Sequence, residues 1–388
     1  MKLLLLLLLL QVGTQPAASV AQDEDEGKAT EVVVLGMIHG GHRTSEQWGL
    51  DPLREAIRRI QPDVVLCEIP PDRWPGVLEV WNAKHVIEDD RVQRFPEYTD
   101  VLLPLMDELG FAVEPCAAWT SEMAAERREA IAAFEGTEET EPEDPDALKA
   151  YEQAEAWTAQ WAEAQMVNDA DPLVIHSRIY DHVTKGSLLA YDHWLNDRIG
   201  AGGWTNINQS HYALIEAALE RHAGKRVLIT FGAGHKYWFL EQLRWREDVQ
   251  LLDPRPFLPG GDEPLGEKVR VEEEAYAMAE CVWRCWYDDG DAYMRPALTR
   301  IHASMDPHDA MPFVNGLRRS TQRSTFLDQE WLGPVLARQD EAGAWSVSFD
   351  VRRALSPLDE EPQRVHASLV EDERRPGGYR WTAIQWPR

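Results

Sequence analysis

Glu31-Val-Val-Val-Leu-Gly-Met-Ile-His39 is an unbroken apolar run that closes on a glycine and then a histidine. A strand with one wet face alternates polar and apolar residues. A continuous run of this kind is the pattern of a strand buried on both faces in a parallel sheet. Downstream, Leu53, Ile57 and Ile60 follow helical spacing behind the helix-starting pair Asp51-Pro52. Asp63-Val-Val-Leu-Cys-Glu-Ile69 then reads as a second buried strand, stopped by Pro70-Pro71. Strand, helix and strand in this order make a βαβ unit.

The pattern continues outward. Residues 101–109 read as a helix and Phe111-Ala-Val113 as a short strand entered through Gly110. Residues 119–204 turn rich in Ala, Glu and Trp with helical periodicity, broken at 135–146 by a stretch with seven carboxylates and no Lys or Arg, which reads as a solvated loop. The α/β pattern returns with a helix carrying Leu214, Ile215, Ala218 and Leu219, and with the buried strand Arg226-Val-Leu-Ile-Thr-Phe231. A helix bearing Trp238, Leu240 and Leu243 and a strand at 249–252 follow. Residues 254–270 have the Pro/Gly content of a linker. Beyond it, Ala275, Met278, Ala279, Val282, Trp283 and Trp286 form one helix face, Asp288-Asp-Gly-Asp291 reads as a turn, and strand-like runs lie at 335–338, 345–351, 364–369 and 379–386. The expected fold is therefore α/β, a mostly parallel sheet over 31–253 with a helical insertion at 119–204, followed by a smaller α+β domain at 271–388.

A chain of 388 residues is long enough for two such domains. Its net charge of -28 repels phosphates and anionic lipid heads, so nucleic acid is not an expected partner. Lys2, the leucine run at 3–10 and the small residues at 17–21 match a signal peptide spanning 1–21, followed by an acidic N-terminus at 22–30. That apolar run is far short of the ~18 residues a membrane span needs. An exported protein, periplasmic or secreted, with no stable membrane span is expected. The four cysteines, Cys67, Cys116, Cys281 and Cys285, read as structural thiols rather than a disulfide framework.

Three residues share one placement. His39 lies three residues past Gly36, His235 lies three past Gly232, and each Gly-x-x-His follows a buried strand, while Glu68 ends the strand between them. Groups leaving the carboxyl ends of neighbouring parallel strands converge on one crevice. Two imidazoles and a carboxylate there can bind a divalent metal or position and deprotonate a water. His42 could add a ligand or face solvent. His182 and His193 could share a helix face turned to the site, although surface or core roles are the plainer reading for them and for His176 and His211. Trp157, Trp161, Trp194, Trp204 and Trp238 could line an apolar pocket or serve packing.

Val32-Val-Val-Leu-Gly-Met-Ile-His39, Arg59-Ile-Gln-Pro-Asp-Val-Val-Leu-Cys-Glu68 and Val227-Leu-Ile-Thr-Phe-Gly-Ala-Gly-His235 resemble the TraB/TIKI, ChaN-like and erythromycin-esterase superfamily over residues 31–252. The resemblance implies hydrolases, some metal-dependent peptidases and some metal-free esterases, beside haem-binding members. It carries catalytic or metal-ligand roles onto His39, Glu68 and His235. It also implies an orienting arginine, for which Arg198 is the first candidate and Arg43 the second, although the usual Arg-Asn pair is missing. Residues 271–388 resemble the cystatin-like, SnoaL-like cone in shape. The expected function is an exported hydrolase of an ester or peptide bond acting on a small-molecule or peptide substrate. The alternatives are a non-enzymatic binder of haem or metal, or an interaction module.

Overall fold

The structure, a computed structural model, describes residues 28–164, 171–287, 291–310, 313, 330–332, 335–341, 343–353 and 363–385. The expected signal peptide lies outside the described residues, as does most of the acidic stretch after it. The first sheet holds β1 (Thr30–Met37), β2 (Val64–Cys67), β3 (Ala112–Pro115), β4 (Arg226–Gly232) and β5 (Val249–Leu251). All are parallel, in the order β3-β2-β4-β1-β5.

Both faces of this sheet are covered, which is why its strands carry no polar alternation. The helices are α1 (Leu50–Ile60), α2 (Trp74–Lys84), α3 (Leu103–Leu109), α4 (Ser121–Glu135), α5 (Pro145–Ala164), α6 (Pro172–Ile175), α7 (Arg178–Ile199), α8 (Trp204–Arg221) and α9 (Ala233–Leu243). Val33, Leu35 and Met37 of β1 pack with Leu53, Ile57 and Ile60 of α1 on one face. Val32 and Val34 share the other face with Ile215 and Leu219 of α8 and with Phe239 and Leu243 of α9. The neighbours β1 and β4 thus hand their chains to opposite faces, through α1 and α9. Loops that diverge in this way open a crevice at the carboxyl ends of the strands.

The insertion is helical, as expected. Thr120 Oγ1 accepts from Met123 N to cap α4, and Ser177 Oγ accepts from Tyr180 N to cap α7. Phe134, Tyr151, Leu195 and Ile199 form a core of their own within this layer. Cys67 and Cys116 are buried and free, and they face opposite sides of the sheet, so they cannot bridge. Cys281 is also buried. The side chain of Cys285 lies outside the described residues.

The second unit packs α10 (Glu267–Tyr287) and α11 (Asp291–Ser304) on β6 (Glu330–Leu332), β7 (Leu336–Gln339), β8 (Trp345–Arg353), β9 (Gln363–Glu371) and β10 (Tyr379–Gln385). The sheet is antiparallel in the order β10-β9-β8-β6, with β7 also pairing β8. This is the expected α+β arrangement. Two details differ from the sequence reading. The 254–270 stretch is not a plain linker, because Leu258 is fully buried in the first core and α10 begins at Glu267. Asp291 opens a helix rather than ending a turn, while residues 288–290 lie outside the described residues.

Where α10 meets α7 and α9, three cations face three carboxylates. Arg178 and Arg244 both bind Glu280, Arg178 N donates to Glu273 at 3.0 Å, and Lys236 pairs with Asp181. Charges taken from water this completely are tolerable only when paired and hydrogen-bonded. Among the described residues no helix is long and apolar enough to cross a membrane.

Several histidines are held neutral by burial. Burial, helped by the charge of Lys236, pushes His176 down to about 3, and burial brings His182 to about 4 and His211 to about 2. The unfolded chain takes each of these protons near pH 6.5, whereas the folded chain refuses them until far lower pH. Stability should therefore fall as pH drops below 6.5, by roughly 1.4 kcal/mol per pH unit for each such histidine. His176→Gln should flatten the slope of stability against pH by about one proton between pH 6 and 4, measured by chemical denaturation. An unchanged slope would show that His176 is protonated in the folded state.

Candidate active site

After β1 the chain turns sharply, and His39 adopts φ +49°, the left-handed region, at the head of a 3-10 turn over His39–Arg43. That conformation costs a residue with a Cβ about 1–2 kcal/mol, so the surroundings must impose it. Two other histidines do so. Gly36 N donates to His176 Nε2 at 2.9 Å, and Ile38 N donates to His42 Nε2 at 3.1 Å. With Nε2 accepting, each ring carries its proton on Nδ1, which donates to a carbonyl at 2.6 Å: Pro172 O for His176 and Trp48 O for His42. Trp48 Nε1 closes the loop by donating to Gly36 O at 3.2 Å.

Glu68 follows β2, next to β4 in the sheet. Its Oε2 accepts from Gly232 N at 2.8 Å, and its own N donates to Tyr98 Oη at 2.9 Å. Tyr98 Oη in turn donates to Thr230 O at 2.8 Å. Glu68 is thereby tied to β4 by side chain and main chain. His39 Nε2 stands 3.8 Å from Glu68 Oε2, and His235 Nε2 stands 3.9 Å from Glu68 Oε1. One carboxylate faces two imidazoles, one through each oxygen.

The far nitrogen of each imidazole is also anchored. His39 Nδ1 lies 2.6 Å from Glu97 Oε1, and His235 Nδ1 lies 2.7 Å from Asn208 Oδ1. Acceptors on Nδ1 fix the proton there and leave each Nε2 for the crevice. The partners differ in charge, and so does the outcome. Burial alone would lower His39, but the bond to Glu97 and the charges of Glu68 and Glu97 outweigh it and raise the imidazole above its usual 6.5. For His235 burial prevails over the attraction of Glu68, and the charge of His39 adds to it, so that imidazole is lowered.

Gly232 leaves the space between these groups open. A Cβ there would lie 2.7 Å from His39 Nε2 and 3.5 Å from Glu68 Oε2. Aromatic rings wall the crevice. Phe95 meets His39 edge-on at 4.8 Å, and Trp204 stacks on His235 at 4.7 Å with 18° between planes. Trp204 Nε1 donates to Tyr237 Oη at 2.7 Å, which holds the indole in place. His211, from α8, touches His235 at 5.3 Å while its Nδ1 accepts from Ala118 N.

The structure brings together His39, Glu68 and His235, and not the expected arginines. Arg198 sits in the last turn of α7, with its guanidinium over the Phe134 ring and 3.3 Å from Glu143, in the helical layer. The acidic loop at 136–144 draws it there. Arg43 pairs instead with Asp100 at 3.6 Å. His42 is neither a ligand nor solvent-facing, since it is buried and spent on its own loop. His182 packs on Tyr276 and His193 on Trp194, so neither reaches the crevice, whereas His176 and His211 support it. Of the tryptophans, Trp204 lines the site, Trp194 and Trp238 pack in cores, and the side chains of Trp157 and Trp161 lie outside the described residues.

Glu97, Asn208 and Tyr98 escaped the sequence reading. None stands in a motif, and each reaches the site from a helix or loop whose orientation only the packed structure sets. The donor types of His39, Glu68 and His235 suit a divalent metal, but their arrangement does not form a cage. Among the described residues no three His, Cys, Asp or Glu side chains are placed to hold one ion. Compared with known protein families, curated proteins and solved structures, the chain matches none.

Side-chain NMR titration should find His39 with a midpoint above 6.5 and His235 with one below it. Glu97→Gln should bring the His39 midpoint down and, by weakening the charge of His39, let that of His235 rise by a smaller amount. Equal midpoints for the two rings in the unmodified protein would remove the electrostatic asymmetry of the site.

Proposed function

We propose that the chain is a hydrolase of ester or amide bonds in which His235 acts as general base and His39 as general acid. The observation that carries this reading is the sharing of Glu68 by two imidazoles whose proton affinities are pushed in opposite directions. Catalytic acids and bases are recognised by such separation. The separations of 3.8 and 3.9 Å are too long for direct hydrogen bonds and suit one bridging oxygen atom.

In the proposed reaction a water oxygen adds to the substrate carbonyl as its proton passes to neutral His235 Nε2. The carbonyl π pair moves onto oxygen, and the anion is stabilised by His39 Nε2–H. Collapse re-forms the carbonyl and expels the leaving oxygen or nitrogen, which takes the proton from His39 Nε2. Glu68 holds the developing imidazolium of His235 and faces that of His39, while Gly232 N keeps its carboxylate in place. The two Gly-x-x-His segments and the intervening glutamate support the reading through their resemblance to the TraB/TIKI and erythromycin-esterase group. The leader-like residues 1–21 support an exported enzyme.

His39→Ala, His235→Ala and Glu68→Gln should each lower kcat/KM on a panel of p-nitrophenyl esters and fluorogenic peptides by about a hundredfold or more. The melting temperatures should stay close to that of the unmodified protein. The pH–rate profile should rise through a pKa below 6.5, as His235 loses its proton, and fall through one above 6.5, as His39 loses its own. Unchanged turnover in both histidine variants would overturn the proposal. A stoichiometric Soret band on adding haem, without turnover of any substrate, would replace it with a binding role.

A further inference from the structure

The second sheet has one face packed on α10 and α11 and one open face, where Arg338, His366 and Gln385 are exposed. Val347, Val365, Ala367 and Leu369 point into the helix-covered core, so the residues between them point the other way. There the register aligns two rows across the strands, Arg338-Ser346-Ser368-Thr382 and Leu336-Ser348-His366-Gln385. Cross-strand neighbours of this kind stand about 5 Å apart. The second row is complete because β10 bulges. Thr382 pairs with Ser368 and Gln385 with His366, so β10 spends three positions where β9 spends two. Without the extra residue Gln385 would turn to the core face, and the bulge sets it beside His366 instead.

These rows line a groove of about 310 Å³, at the lower end of the size that holds a small ligand. No carboxylate is among the described residues lining it, in a chain whose net charge is -28. The carboxylates nearest in the register are accounted for. Asp350 stands opposite Arg364 at one end of the groove, so that guanidinium is counted as balanced. Asp340, two positions past Arg338, is turned into the β7–β8 turn, where its Oδ1 accepts from Ala344 N at 2.8 Å. Arg338 has no ion pair among the described residues and keeps its planar fork of donors for an oxyanion. Ser346 Oγ donates to Arg338 O at 3.2 Å and so meets a ligand as an acceptor. Ser348, Ser368 and Gln385 add groups that both donate and accept, as the hydroxyls of a sugar do. A second copy on this face would bring its own arginines to the same row, whereas an acidic ligand is complementary to it.

We infer that the open face of the second sheet binds a hydroxylated carboxylate of monosaccharide size, its anion on Arg338 and its hydroxyls on Ser346, Ser348, Ser368 and Gln385. This is a binding role for the second unit and stands apart from the hydrolase reading. With the full chain, calorimetry should show galacturonate binding about tenfold tighter than galactose, the value of one charge-assisted bidentate contact. Galacturonate should exceed propionate, which has the carboxylate without the hydroxyls, by a similar factor. Arg338→Met should erase the preference for galacturonate over galactose, and Arg338→Lys should keep part of it. Gln385→Leu should weaken both sugars and leave propionate unchanged. The double change His39→Ala/His235→Ala should leave galacturonate binding intact. Equal binding of galacturonate and galactose, or a preference that survives Arg338→Met, overturns the anionic contact. Equal binding of galacturonate and propionate overturns the hydroxyl contacts. Loss of binding in the double histidine variant would move the ligand to the crevice and overturn the site. No binding of any of the three probes, or a dimer in sedimentation that Arg338→Glu disperses, would overturn it as well.

Discussion

The pairing of β1 with β4 is the constraint on which the rest depends. Residues 31–37 lie in parallel register against 226–232, so segments nearly two hundred positions apart share a hydrogen-bonded ladder. Bringing such distant segments together costs closure entropy, which the burial of two full apolar faces offsets. Because β4 separates β1 from β2, Gly232 ends up between His39 and Glu68. Its main-chain N and its missing side chain are both used there.

Around this ladder, neutral histidines do structural work so that others can do chemistry. His42 and His176 accept from the backbone amides flanking the turn and hold His39 in a conformation it would not choose alone. Their protons lie on Nδ1, fixed by carbonyls. His39 and His235 use the same tautomeric logic, with a carboxylate and an amide in place of carbonyls. The identity of that acceptor, charged or neutral, together with burial, distinguishes an imidazole that keeps its proton from one that gives it up.

The second unit is joined to the first through electrostatics as well as apolar packing. Glu273 and Glu280 of α10 meet Arg178 and Arg244 at a buried junction, and Lys236, the residue after His235, lies in the same group with Asp181. Removing either side would strand charges away from water, so α10 and the helix that carries His235 are interdependent in stability.

By itself the sequence determined the parallel sheet, the helical insertion, the α+β unit and the trio at the strand ends. Unbroken β-branched runs have no other economical burial, and residues just past adjacent strand ends must converge. It did not determine the supporting cast. Arg198 looked suited to the site by its place in the chain, yet a helix rotates its residues by 100° each, and this one faces an acidic loop. Glu97, Asn208 and Trp204 reach the crevice from helices and turns whose roll and position follow from packing against the whole core. The His42 and His176 bonds likewise depend on where distant backbone amides come to rest. Strand order and hydrophobic period are local signals, while the direction of a side chain on a packed helix is a global one, and only the tertiary structure decides it.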